Sequence, residues 1–125
     1  MMLDTNALSA FFDGASGLRR KLGNATRISL PVIVLGEYRF GLLGSRKRRT
    51  AEPELDGLQA VSDILSVDSG TVEPYARIRD QLKRAGRPIP INDVWIAALA
   101  VQHDLPIVSR DRHFDAVSGV RRIDW

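Results

Sequence analysis

Four carboxylates, Asp4, Glu37, Asp93 and Asp111, are spread over the 125-residue sequence at separations of 33, 56 and 18 positions. Each falls where the pattern of apolar residues implies the end of a strand or the start of a helix. Asp4 directly follows the run Met1-Met2-Leu3, and Asp111 follows Pro106-Ile107-Val108-Ser109 by one residue beyond Arg110. Glu37 stands about a turn and a half into the pattern from Val32 to Leu43, and Asp93 near the start of the one that runs to His103. Carboxylates brought together raise each other's pKa, so a cluster of this kind calls for cations to neutralise it. Oxygen donors in a chain without cysteine suit the hard ions Mg²⁺ or Mn²⁺. Each acid also has a plainer use. Asp4 ahead of Thr5-Asn6, Asp93 after Asn92 and Asp111 before a short helix can all serve as N-caps. Glu37 is harder to explain as a surface charge, because Arg39 is too near in sequence to pair with it across a helical turn. Their joint placement points to function more than any single residue does.

The elements that must position these acids alternate along the chain. Short apolar runs predict strands at Met1 to Leu3, Arg27 to Leu30, Leu65 to Val67, Pro106 to Ser109 and Val120 to Ile123. Between them lie helical periodicities. Leu8, Phe11, Phe12 and Ala15 form the first, broken by Gly14 to Gly17; Val32 to Leu43 form the second, with Pro31 in its first turn. Leu55, Leu58, Val61, Ile64 and Leu65 suggest a third helix leading into a strand that Asp68 closes. Val72, Tyr75, Ile78, Arg79 and Leu82 give a fourth, stopped by Gly86 and the stretch Pro88-Ile89-Pro90. A helix capped by Asn92 or Asp93 runs to His103, and a short one covers Asp111 to Val117. Strands joined by helices predict a mainly parallel α/β sheet covered on both faces. Such sheets carry their chemistry at the carboxyl ends of the strands, and all four acids map to that rim.

Composition narrows the classes further. A chain of this length supports one core, so residues 1–125 are read as a single domain. Without cysteine there is no disulfide framework, thiolate metal site or cysteine nucleophile. The N-terminus has no basic and apolar signal-peptide pattern, and the longest unbroken apolar run, Val94 to Val101, is far short of the roughly 18 residues that span a bilayer, so a soluble, cytoplasmic protein with no membrane partner is expected. Arginine supplies 15 of the 18 basic residues, which suits phosphate pairing and equally reflects a GC-rich coding bias; the net charge of +3 is a weak pointer to nucleic acid. The cluster Arg46-Lys47-Arg48-Arg49 is a phosphate patch or an exposed helix face. Neither a dinucleotide fingerprint, a phosphate-binding P-loop nor a nucleophile elbow is present. His103 reads as a helix-end residue, and His113, near Asp111, as a solvated loop residue or a contact to a substrate phosphate.

Leu3-Asp4-Thr5-Asn6, Glu37, Ile91-Asn92-Asp93-Val94-Trp95-Ile96-Ala97-Ala98 and Val108-Ser109-Arg110-Asp111-Arg112-His113-Phe114, in this order, resemble the PIN-domain ribonucleases, most closely the VapC-type toxins of bacterial toxin–antitoxin pairs. The resemblance extends to the closing Arg122-Ile123-Asp124-Trp125. It implies a three-layer α/β/α domain with a five-stranded parallel sheet, and metal-dependent cleavage of RNA at an acidic pocket. The family's acidic positions fall on Asp4, Glu37, Asp93 and Asp111, with Asn6 and Ser109 as supporting polar residues; the second is usually Thr in the family. Asp115 is a further acid without an assigned role. The resemblance also implies a homodimer and a cognate antitoxin whose tail inserts a basic side chain into the pocket. Asp4 and Asp93 are the first choice as direct metal ligands, Glu37 and Asp111 complete the shell, and Arg110 and Arg112 are candidate phosphate contacts.

Two other classes fit less well. A phospho-acceptor signalling domain of receiver type shares the length and the acidic rim, but it should carry paired acids after the first strand and a late Lys, whereas Thr5-Asn6 follow Asp4 and the last Lys is Lys83. A non-catalytic basic RNA-binding module accounts for the arginines and leaves the acids without a role.

Overall fold

A computed structural model describes residues 1–23 and 27–125. In chain order the elements are β1 (Met2–Leu3), α1 (Thr5–Phe12), α2 (Ser16–Leu22), β2 (Ser29–Pro31), α3 (Val32–Leu43), α4 (Arg48–Ala60), β3 (Asp63–Leu65), α5 (Ser69–Arg84), α6 (Ile91–His103), β4 (Ile107–Val108), a 3₁₀ turn (Arg112–Ala116) and β5 (Arg122–Ile123). All strand pairs are parallel, in the order β3-β2-β1-β4-β5. This is the expected five-stranded α/β sheet flanked by helices.

The order explains the position of the site. From β1 the chain moves to β2 and β3 on one side, then returns to lay β4 and β5 on the other, with Met2 opposite Ser29 on one flank and Ile107 on the other. The two directions of travel part between β1 and β4, and a crevice forms at such a switch point beyond the carboxyl ends of the strands. Asp4 follows one of these strands and Ser109 the other.

The sheet is held by apolar side chains on both faces. Met2, Leu3, Leu30, Ile107 and Val108 are fully buried, as central parallel strands require. Leu8 and Leu18 cover them from α1 and α2, and Ile96, Leu99 and Phe114 from α6 and the 3₁₀ turn. Each such leucine contributes about 1.5–3 kcal/mol by leaving water. Helix α5 lies against α6, where Tyr75 stacks on Trp95 with ring centroids 3.7 Å apart.

Several expected boundaries move. Helix α2 replaces a loop after Gly14: that residue turns the chain at φ 78°, and Leu18 and Leu22 then bury one helical turn apart. The third strand is Asp63–Leu65, not Leu65 to Val67, because α4 ends at Ala60 and parallel pairing with Ser29–Pro31 takes Ile64 out of the helical stripe. Asp68 does not close that strand but opens α5, where its side chain and Thr71 form a reciprocal capping box. Pro31 ends β2 and stands as N-cap of α3, its ψ of 140° extended rather than helical. Helix α6 starts at Ile91 behind Pro90, so Asn92 and Asp93 lie inside its first turn and neither caps it. The last strand is confined to Arg122–Ile123, and the helix after Asp111 is a 3₁₀ turn.

Candidate metal centre

Asp4 is the first residue beyond β1 and does two structural jobs. Its Oδ1 accepts the Ala7 backbone N–H at 2.8 Å, capping α1, and its Oδ2 accepts the Ser109 hydroxyl. Only 4% of the residue is exposed. Burial pushes its carboxyl above the ordinary value; the bonds from Ser109 and Ala7 oppose the rise, and the charges of Asp111 and Glu37 add to it. Asp93 behaves in the same way: burial raises its carboxyl, His113 opposes, and Asp111 and Glu37 reinforce. Two acids are thus held where the ionised form is costly without a cation.

The remaining acids close the ring. Glu37, from α3, accepts the Thr5 hydroxyl through Oε1 at 2.9 Å. Asp111 caps the 3₁₀ turn by accepting the His113 backbone N–H at 2.9 Å, while its own N–H donates to Ser109 Oγ at 2.9 Å. Ser109, fully buried, therefore ties Asp4 to Asp111 through one hydroxyl. Asp4, Asn6, Glu37, Asp93 and Asp111 all line one cleft of about 440 Å³. Four segments far apart in sequence supply a donor set rich in carboxylate oxygen, and that set fits a hard divalent ion.

Other residues singled out from the sequence lie elsewhere. Arg110 does not line the cleft: its guanidinium sits 4.7 Å from the Trp125 ring centre and donates to the Trp125 carbonyl at 2.7 Å and 3.2 Å. Arg112 is exposed on the 3₁₀ turn, also outside the cleft lining. His103 ends α6, the far end from Asp93. Of the cluster Arg46 to Arg49, Lys47 faces Asp13 at 3.7 Å and Arg48 pairs with Glu52 at 2.9 Å. Asp115 holds Arg122 with two hydrogen bonds of 2.8 Å and 3.1 Å.

Three residues acquire roles that sequence reasoning left out. Thr5 orients Glu37, and Arg122 donates from Nη1 to the Ser109 carbonyl at 3.0 Å, bracing the residue that links two acids. His113 sets its Nδ1 3.1 Å from Asp111 Oδ1 and 3.5 Å from Asp93 Oδ2. The spacing Asp111-x-His113 across an N-cap is a usable signal for the last; no local pattern ties Arg122 to Ser109.

Similarity to known proteins extends over nearly the whole chain. The profile described as PIN domain matches residues 1–120. Ribonuclease VapC5 from Mycobacterium tuberculosis is 34% identical over 128 residues, covering 98% of this chain and 91% of the relative. The tRNA(fMet)-specific endonuclease VapC from Shigella flexneri is 28% identical, covering 99% and 96%. Among solved structures, DNA-bound VapBC from Salmonella typhimurium superposes with a TM-score of 0.88 at 27% identity, covering 99% of this chain and 96% of the other. The chain belongs to the PIN domain family, and the relatives it matches there are VapC ribonucleases. The receiver-type alternative is thereby set aside.

Proposed function

We propose that residues 1–125 form one PIN domain that acts as a metal-dependent endoribonuclease, hydrolysing RNA phosphodiester bonds. It serves as the toxin of a toxin–antitoxin pair, inhibiting translation and growth in the cytoplasm until its antitoxin neutralises it. The observation that carries this reading is the convergence of Asp4, Glu37, Asp93 and Asp111 on one cleft, two of them with carboxyls raised by burial. The identity and coverage of the VapC ribonucleases support it.

In this reading Asp4 and Asp93 hold Mg²⁺ or Mn²⁺ directly, and Glu37 and Asp111 complete the shell directly or through water. An ion held there would make a water molecule acidic enough to deprotonate near neutral pH and would stabilise the negative charge developing on the phosphoryl oxygens. Glu37, fixed by Thr5, or Asp111, fixed by its cap, orients the attacking water. Ser109 keeps Asp4 and Asp111 at a set separation, and Asn6 offers an amide at the cleft wall. Arg112 is the better placed of the two candidate phosphate contacts, because Arg110 spends its guanidinium on Trp125.

The antitoxin has a natural approach. A second cleft of about 760 Å³ shares Thr5 and Glu37 with the first and runs past Asp13 and Glu54. Its acids suit a basic segment, and the solved VapBC complexes are the precedent for such a partner. The toxin itself is read as a homodimer.

The test is to incubate the purified protein with structured RNAs in Mg²⁺, in Mn²⁺ and in chelator. Cleavage should require the ion and disappear in Asp4→Asn and Asp93→Asn while circular dichroism shows an intact fold. Cleavage that persists in chelator, or in both variants, would sink the proposal.

A further inference from the structure

His113 stands beside the cleft, against two of its acids, and the catalytic reading leaves it without a task. It sits at the second position of the 3₁₀ turn, two residues after Asp111. Because its backbone N–H is committed to Asp111 Oδ1 at 2.9 Å, the turn folds the imidazole back over the carboxylate that caps it. The ring nitrogen Nδ1 then lies 3.1 Å from Asp111 Oδ1 and 3.5 Å from Asp93 Oδ2. One ligand atom from each of the three residues falls within 4.8 Å of the others.

These separations can be compared with the demands of a coordination sphere. In an octahedron with bonds of about 2.1 Å, neighbouring donor atoms stand about 3.0 Å apart and opposite ones a little over 4 Å. The two separations from His113 Nδ1, 3.1 Å and 3.5 Å, lie between those of neighbouring and opposite corners of such a polyhedron. We infer that His113 supplies a nitrogen ligand to the metal centre, so that the ion held by Asp93 and Asp111 occupies a mixed nitrogen and oxygen site that selects Mn²⁺ over Mg²⁺. The inference rests on the divalent-metal reading above and deepens it.

The selectivity follows from the donor. Imidazole nitrogen binds first-row transition ions well, whereas Mg²⁺ keeps to oxygen and to its own waters. An all-carboxylate cleft would discriminate little between the two ions on donor type, and replacing one oxygen by nitrogen shifts the balance toward Mn²⁺. His113 is half-exposed, so its replacement leaves the core untouched. A hydrogen bond from Nδ1–H to the two acids would give the same distances, and the experiment has to separate the two arrangements.

Pulsed electron paramagnetic resonance on the full chain loaded with Mn²⁺ reads nitrogen coordination without reference to activity. The expected result is a ¹⁴N coupling in the wild type that vanishes in His113→Gln and survives in His103→Gln, which alters the other histidine at the far end of α6. Calorimetric titration should show His113→Gln losing about tenfold or more in Mn²⁺ affinity and less than about threefold in Mg²⁺ affinity. Mn²⁺ bound to the wild type with no nitrogen coupling, or an unchanged Mn²⁺ to Mg²⁺ ratio in His113→Gln, overturns the role of His113 and leaves the metal reading standing. A wild-type chain that binds neither ion overturns both. The spectrum of the wild type is informative even if a variant fails to fold.

Discussion

Ser109 and Asp4, 105 residues apart in sequence, are joined inside the protein by the Ser109 hydroxyl, which donates to Asp4 Oδ2 and accepts the Asp111 N–H. One small side chain thus sets the spacing of two candidate ligands. Ser109→Ala should cost about 1–3 kcal/mol of stability, because an acceptor and a donor lose their partner. It should also weaken metal binding by about 10–100-fold, the usual scale when a residue orienting a ligand is lost. Ser109→Thr keeps the hydroxyl and should retain most of the activity. Unchanged metal affinity in Ser109→Ala, measured by calorimetry, would refute the linkage.

The raised carboxyl of Asp4 has a consequence for stability with a definite sign. Between the ordinary carboxylate value and the higher folded value, the folded chain holds more protons at this site than the unfolded chain. Stability from Asp4 therefore falls as pH rises through that window, and the penalty is complete above it. Asp4→Asn removes the penalty, so in chelator the variant should gain in stability over wild type as pH rises above the ordinary aspartate value of about 4. The difference between the two proteins is the proper readout, since Asp68, Asp115 and Asp124 are shifted downward, which gives the opposite slope in both. Denaturant titrations across that range would show it; a gain that shrinks with rising pH would contradict the assignment.

Metal should act as a folding ligand. At a hundredfold excess over the dissociation constant, a bound ion adds about 2.7 kcal/mol. For a domain of this size, at about 3–5 °C per kcal/mol, that raises the melting temperature by roughly 8–14 °C. Thermal scans in Mn²⁺ and in chelator should differ by that amount for the wild type and coincide for Asp93→Asn.

Arg122 offers a separate handle on the site from outside it. Its guanidinium is gripped by Asp115 and donates to the Ser109 carbonyl, a fork that a lysine cannot reproduce. Arg122→Ala should lower kcat about tenfold with little change in KM, because it loosens the residue between two acids without touching RNA. Arg122→Lys should recover part of the loss. Steady-state kinetics on a short RNA would decide it, and a change confined to KM would place Arg122 in substrate binding instead.

The parallel sheet and the acidic rim were readable because they rest on periodicity and on residues at the ends of apolar runs. Asp4 and Asp111 fall where an end-of-strand rule puts them, and both also prove to be caps, so the plain and the functional readings describe the same side chains. Asp93 reaches the rim because α6 begins there, as expected of a helix that leads into a parallel strand, but it lies inside the first turn and does not cap the helix. Ile64 fits the helical count because a short apolar strand and a helical stripe look alike over a few residues. The link made by Arg122 depends on β5 lying beside β4 and that made by Thr5 on α1 lying against α3, and no local pattern encodes either.

The strand order also sets a timetable. β1 leaves the ribosome first, yet one of its two neighbours, β4, is made only after β2, β3 and the helices between. Until Ile107 and Val108 arrive, one edge of β1 stays open and Asp4 lacks the hydroxyl of Ser109. Non-local pairing of this kind comes late in folding. A nascent chain therefore carries acids but no assembled centre, and translation is well past residue 100 before its product can turn on RNA.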